Sequence, residues 1–138
     1  MTTQPVVLFV DDDPKAGDLM QRFSESASFS CKVFQEPELA LAEFKQHGAD
    51  LIVSDLRMPG MSGTDLLQAV RATNDSVPFI IITGYANIDD AIEALRLGAN
   101  DFIKKPFDMD ELQVLIDKTL GHRALLDENR LLKRQLSD

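Results

Sequence analysis

The chain has 138 residues, 44% of them hydrophobic, with a single cysteine and a formal net charge of −9. That is the size of one ordinary domain with enough apolar material for one buried core. The acidic balance argues against direct binding to nucleic acid or to an acidic membrane, because phosphate-rich surfaces reward Lys and Arg. No apolar run approaches the ~20 residues of a membrane span, and no charged-then-apolar leader opens the chain, so a soluble cytoplasmic protein is expected.

The first apolar run, Val6–Val10, ends in Asp11, Asp12 and Asp13. Pro14 follows Asp13 as a first-turn proline follows an N-cap, and Ala16, Leu19, Met20 and Phe23 then share one helical face. A second run, Cys31–Phe34, lies in an apolar stretch in which a lone thiol reads as a buried structural residue. Pro37 opens a second helix carrying Leu41 and Phe44, which Gly48 ends. The third run, Leu51–Val53, continues through Ser54 to Asp55. A helical face of Leu66, Leu67 and Val70 comes next. The fourth run, Phe79–Ile82, ends in Thr83 and is followed by a helix with Ala91, Ile92 and Leu95, closed by Gly98. The fifth, Asp101–Lys104, ends in Lys105-Pro106; Asp108 and Glu111 then resemble a capping box before Leu112, Leu115 and Ile116. Continuous apolar runs suit strands covered on both faces. The pattern predicts five β-α units, a parallel sheet and right-handed crossovers.

If those runs are parallel strands, their carboxyl ends meet at one edge, where open α/β sheets bind ligands. Asp13 reads as a helix cap. Asp11, Asp12 and Asp55 are harder to explain as caps, because adjacent carboxylates repel by about 4 kcal/mol at ~4 Å and an effective dielectric of ~20. A hard divalent cation removes that repulsion. Oxygen donors without a nearby His or Cys set point to Mg²⁺, with Mn²⁺ as the alternative, rather than zinc. The Thr83 hydroxyl can donate to a phosphoryl oxygen and the Lys105 ammonium can neutralise one.

Beyond Gly121 the composition changes: 122–138 is charged, leucine-rich and free of Gly and Pro. Leu115, Lys118, His122, Leu125, Asn129, Leu132 and Leu136 fall on one a/d seam, with Glu128 and Lys133 placed to pair between parallel chains. The plain alternative is a solvated helical tail.

Four segments resemble the receiver domain of two-component response regulators: Val10-Asp11-Asp12-Asp13-Pro14, the stretch Ser54–Gly63, Ile82-Thr83-Gly84-Tyr85, and Asp101–Phe107. The resemblance covers about residues 4–121. It implies a doubly wound (βα)5, flavodoxin-like α/β fold of strand order 2-1-3-4-5, with an extended C-terminal helix. The implied division is a receiver at 1–121 and a helical linker or coiled coil at 122–138. Asp55 is then the phosphoacceptor, taking its phosphoryl group from a phosphohistidine of a sensor histidine kinase. Asp12 is a direct Mg²⁺ ligand, Asp11 acts mainly through water, and Asp55 and the backbone carbonyl of Arg57 complete the set. Lys105 contacts Asp55 and then the phosphoryl group, and its bond to Pro106 is cis. Thr83 and Phe102 form the switch; many members carry Tyr where this chain has Phe102, which puts any hydroxyl-dependent step in doubt. Arg57 and Tyr85 lie at the variable positions that tune acyl-phosphate lifetime. The segment 123–136 resembles linkers that join receivers to the ATPase of sigma-54-dependent (NtrC/DctD-like) transcription activators. A parallel homodimer through Leu125, Asn129, Leu132 and Leu136 is expected. No ATPase or DNA-binding segment is present, so the chain is expected to be the receiver of a longer regulator or a stand-alone receiver.

Three rival readings differ in class. A phosphohydrolase of the haloacid dehalogenase type would use the Asp-x-Asp within Asp11-Asp12-Asp13, but Lys15 stands where Thr or Val usually follows, and the chain has no room for a cap. A pseudo-receiver would serve only as a protein-interaction or dimerisation module and bind no metal. A flavodoxin-like cofactor binder would need a phosphate-cradling loop after the first strand, which is missing.

Overall fold

The computed structural model describes residues 4–27, 29–74, 76–84 and 88–121. Five strands, β1 (Val6–Val10), β2 (Ser30–Phe34), β3 (Leu51–Asp55), β4 (Phe79–Thr83) and β5 (Asp101–Lys104), alternate with α1 (Pro14–Glu25), α2 (Pro37–His47), α3 (Gly63–Thr73) and α4 (Ile88–Arg96). A fifth helix, α5, is described over 109–121. All pairings are parallel and the spatial order is β2-β1-β3-β4-β5. The expected seam at Leu125, Asn129, Leu132 and Leu136, and the extension at 122–138, lie outside the described residues, as does Tyr85.

Alternation within each strand explains why the runs are apolar throughout. Val7, Phe9, Leu51, Val53, Ile80 and Ile82 point to one face, where they pack with Met20 of α1 and with Leu112 and Ile116 of α5. Leu8, Val10, Ile52, Phe79 and Ile81 point to the other, against Phe44, Leu66, Leu67 and Val70 of α2 and α3 and Ala94 of α4. Burying both faces removes the polar alternation that a one-sided sheet shows. The Cys31 thiol is buried, which pushes its pKa up to about 12, in keeping with a structural rather than a reactive role.

The helix ends follow the punctuation of the sequence, with exceptions. Asp13 Oδ1 accepts from the Lys15 backbone N–H at 3.0 Å, ahead of Pro14. Gly48 and Gly98 adopt φ of 73° and 115° at the two helix-to-strand turns, a region that favours glycine. Asp108 Oδ1 accepts from the Glu111 N–H at 2.9 Å. The reciprocal capping box stands in α3, between Ser62 and Asp65, where the sequence reading had placed none. At α2, Glu36 occupies the cap position without a side-chain bond.

Two helical faces differ from expectation. Leu19 is 54% exposed while Met20 next to it is fully buried. On α4 the buried residues are Ala91 and Ala94, whereas Ile92 and Leu95 are exposed. α4 thus meets the body of the protein through small side chains, with Ile88 half-buried and Ile92 and Leu95 turned outward. Among the described residues, no helix is long and apolar enough to cross a membrane.

Candidate functional site at the carboxyl edge of the sheet

The strand order sets β1 beside β3 and β3 beside β4, so their carboxyl ends form one continuous rim. Asp11 directly follows β1, its backbone N–H bonded to the Phe34 carbonyl at 3.0 Å as the ladder with β2 runs out. Asp55 is the last residue of β3 and pairs in register with Ile82 of β4. The next N–H, of Leu56, donates to the Ile82 carbonyl at 2.9 Å. Thr83 closes β4 in a fully buried position. Lys105 leaves β5 with its backbone N–H on the Thr83 carbonyl at 2.7 Å, and its bond to Pro106 is cis.

These backbone ties bring four charged groups together. One carboxylate oxygen from each of Asp11, Asp12 and Asp55 lies within 4.8 Å of the others. Lys105 Nζ is 3.3 Å from Asp55 Oδ2 and 4.0 Å from Asp11 Oδ2. Asp11 and Asp55 are buried, Asp12 is exposed, and the Lys105 side chain is about half-buried. Three carboxylates against one ammonium leave two negative charges at the rim. Donors that are all oxygen suit a hard cation, and Asp11, Asp12 and Asp55 could hold a divalent ion between them.

Asp11 records the strain of this arrangement. Burial, with the charges of Asp55 and Asp12 added to it, lifts its pKa from the usual 3.8 to about 6. The Asp13 N–H, which donates to Asp11 Oδ1 at 2.9 Å, and the Lys105 ammonium pull in the other direction and are outweighed.

The Thr83 hydroxyl donates to the Gly84 carbonyl at 3.3 Å. Phe102, in the middle of β5, is partly buried against the core on the α2–α4 face of the sheet. The Arg57 guanidinium reaches Asp90 on the first turn of α4, with Nη2 to Oδ2 at 2.7 Å. Sequence reasoning singled out Arg57 for its carbonyl and as a variable position that tunes acyl-phosphate lifetime, and missed this ion pair. It also missed Gly63. A Cβ there would strike the Asp55 carbonyl oxygen and come within 2.9 Å of the Leu56 Cα, so only glycine lets the start of α3 pack against the end of β3. The Gly63 N–H donates to the Leu56 carbonyl at 2.9 Å across that contact.

A cavity of about 620 Å³ opens beside this rim, lined by Asp11, Lys105, Pro106 and Phe107 together with Ala16 and Leu19 of α1. The exposed Leu19 therefore stands at the mouth of the site.

Comparison with known proteins agrees with this geometry. The family model described as "Response regulator receiver domain" matches residues 7–117. The chain is 37% identical over 134 residues to the C4-dicarboxylate transport transcriptional regulatory protein DctD of Rhizobium meliloti, a match over 97% of this chain and 29% of that protein. It is 34% identical over 117 residues to the DNA-binding transcriptional regulator NtrC of Salmonella typhimurium, covering 85% of this chain and 25% of that one. The chain thus spans between a quarter and a third of the length of these two relatives. The crystal structure of NtrX from Brucella abortus superposes with a TM-score of 0.88 at 28% identity, over 94% of this chain and 30% of that chain.

The raised pKa of Asp11 has a signed consequence. Between about pH 4 and 6 the folded protein holds a proton on Asp11 that the unfolded chain has released, so this group lowers stability as pH rises through that window. A shift of about two pKa units corresponds to roughly 3 kcal/mol. Asp11→Asn keeps an acceptor for the Asp13 N–H and removes the charge. In urea unfolding with EDTA at pH 8, it should therefore be more stable than wild type by about 1–3 kcal/mol, with the gain vanishing at pH 4. A loss of stability at pH 8 would mean that pairing with Lys105 outweighs burial.

Proposed function

The chain belongs to the response regulator receiver domain family, and we propose that within it Asp55 accepts a phosphoryl group from a sensor histidine kinase in a Mg²⁺-dependent reaction. The observation that carries this reading is the placement of Lys105 Nζ 3.3 Å from Asp55 Oδ2, with one oxygen from each of Asp11 and Asp12 in the same carboxylate cluster. That is an acceptor oxygen flanked by a cation and by ligands for a second one.

Asp11, Asp12, Asp55 and the Arg57 backbone carbonyl would hold the Mg²⁺, Asp12 directly and Asp11 chiefly through water. When bound, the ion supplies charge neutralisation and orientation for a phosphoryl oxygen. One Asp55 oxygen attacks the phosphorus of the phosphohistidine. The P–N bond breaks, its electron pair stays on the imidazole nitrogen, and a new C–O–P linkage joins the carboxyl to the phosphoryl group. Lys105 offsets the charge that the phosphoryl oxygens bring. The cavity beside α1, with Leu19 and Phe107 in its walls, gives the partner's imidazole an apolar approach to the rim.

The output follows from charge. An acyl phosphate places roughly −1.5 to −2 on the rim. Thr83 turns its hydroxyl from the Gly84 carbonyl toward the phosphoryl group, and Phe102 moves into the space that Thr83 leaves. Phosphorylation only biases states that already exist, because a ligand shifts an equilibrium no further than its differential affinity allows. The controlled output is transcriptional, as the names of the relatives indicate. The site of action is cytoplasmic, and residues 122–138 would serve as a helical linker outside the receiver at 1–121. That linker would dimerise through Leu125, Asn129, Leu132 and Leu136.

Incubation with acetyl phosphate and Mg²⁺ should place a single label on Asp55, read by peptide mass mapping. Asp55→Asn should carry none, and Lys105→Ala should slow labelling roughly 10²-fold or more, the usual effect of deleting one charge-stabilising donor. A label on Asp11 that persists in Asp55→Asn would favour the hydrolase reading instead. In sedimentation equilibrium, the full chain bound to the phosphoryl mimic beryllofluoride, or the free chain, should show a dimer mass. Monomer in both states removes the proposed seam.

A further inference from the structure

We propose that Asp90 is a counter-anion that competes with a phosphoryl group on Asp55 for the Arg57 guanidinium, so that phosphorylation loosens a tie between the acceptor loop and α4. The inference rests on Asp55 being the acceptor. Arg57 stands two residues beyond Asp55, on the loop between β3 and α3, and Asp90 stands on the first turn of α4. Their 2.7 Å contact joins two parts of the chain 33 residues apart.

Three observations make the tie exchangeable. Both side chains are more than half exposed, at 68% and 51%, and an exposed ion pair is weak enough to be displaced. A cavity of about 610 Å³ lies between the loop and α4, lined by Leu56, Arg57, Met58, Ser62, Thr64 and Asp90, so the guanidinium has space in which to reorient. Release also leaves Asp90 in a favourable place, because it shares the first turn of α4 with Asp89, where the helix dipole favours negative charge.

The direction of the exchange follows from charge and shape. A phosphoryl group offers close to two negative charges and three acceptor oxygens, against the single charge of Asp90. A guanidinium fork matches phosphate as well as it matches carboxylate. The helix that loses the tie is the one whose fully buried side chains are the small Ala91 and Ala94, with Ile88 half-buried, so a small loss of anchoring matters more there than on α3, which buries Leu66, Leu67 and Val70. Asp90 is on this account a positioning residue that acts through Arg57.

The test is calorimetric titration of beryllofluoride in saturating Mg²⁺ into wild type, Asp90→Asn, Arg57→Ala and the double variant. Asp90→Asn should bind about two- to fivefold more tightly than wild type, the span expected of an exposed ion pair. In the Arg57→Ala background the same substitution should change nothing. Equal affinities for wild type and Asp90→Asn overturn the proposal. So does equal tightening with and without Arg57, which would assign the effect to the general field of a carboxylate. A wild-type protein that binds no beryllofluoride removes the acceptor assignment and this inference with it, whereas wild-type binding with no Asp90 effect removes this inference alone.

Discussion

Mutual repulsion among Asp11, Asp12 and Asp55, answered by the single ammonium of Lys105, is the interaction on which the rest of the molecule turns. Two of these carboxylates are buried, and a buried charge without full compensation is expensive. The sheet tolerates it because the backbone leaves little alternative. Asp55 is a strand residue in register with Ile82, and Lys105 is tied by its N–H to the Thr83 carbonyl. Apolar packing on both faces of the sheet supplies the stability from which the rim draws. The site is thus an electrostatic liability held in place by the apolar core beneath it.

Around that rigid rim, the parts connected to it differ in how firmly they are held. α3 begins at Gly63 in direct contact with the end of β3 and buries three large aliphatics. α4 presents two alanines to the sheet and leaves Ile92 and Leu95 outside. Elements with few buried apolar contacts open at lower free energy than those with many. On the proposed reading, a charge added at Asp55 meets one neighbour anchored by large aliphatics and one anchored by small side chains.

Much of this was legible in the chain because its signals were redundant. Val6–Val10, Leu51–Val53 and Phe79–Ile82 are apolar along their whole length, which few elements other than doubly covered strands require. Asp11, Asp55, Thr83 and Lys105 stand at the ends of such runs, where the topology alone makes them neighbours. Helix faces were less readable. Periodicity groups Leu19 with Met20, and Ile92 with Ala91, but it cannot say which edge of a broad apolar stripe turns to the sheet. The tight approaches at Gly63, and at Gly17, where a Cβ would lie 2.6 Å from Val33 Cγ1, are tertiary facts with no local signature. So is the Arg57–Asp90 pair. The raised pKa of Asp11 could not be read either, since it is a balance of burial, two like charges, one amide and one ammonium that only the folded arrangement defines.

The rim gathers three carboxylates around one ammonium, and a divalent cation would relieve their charge. Thermal unfolding of wild type and Asp12→Ala at pH 8, in EDTA and in millimolar Mg²⁺, tests it without any phosphodonor. Binding to the folded state alone raises the melting temperature by linkage, so wild type should gain several degrees with Mg²⁺ and Asp12→Ala should gain none. An equal gain in both proteins would remove Asp12 as a ligand, and no gain in either would contradict the account of the rim as a cation site.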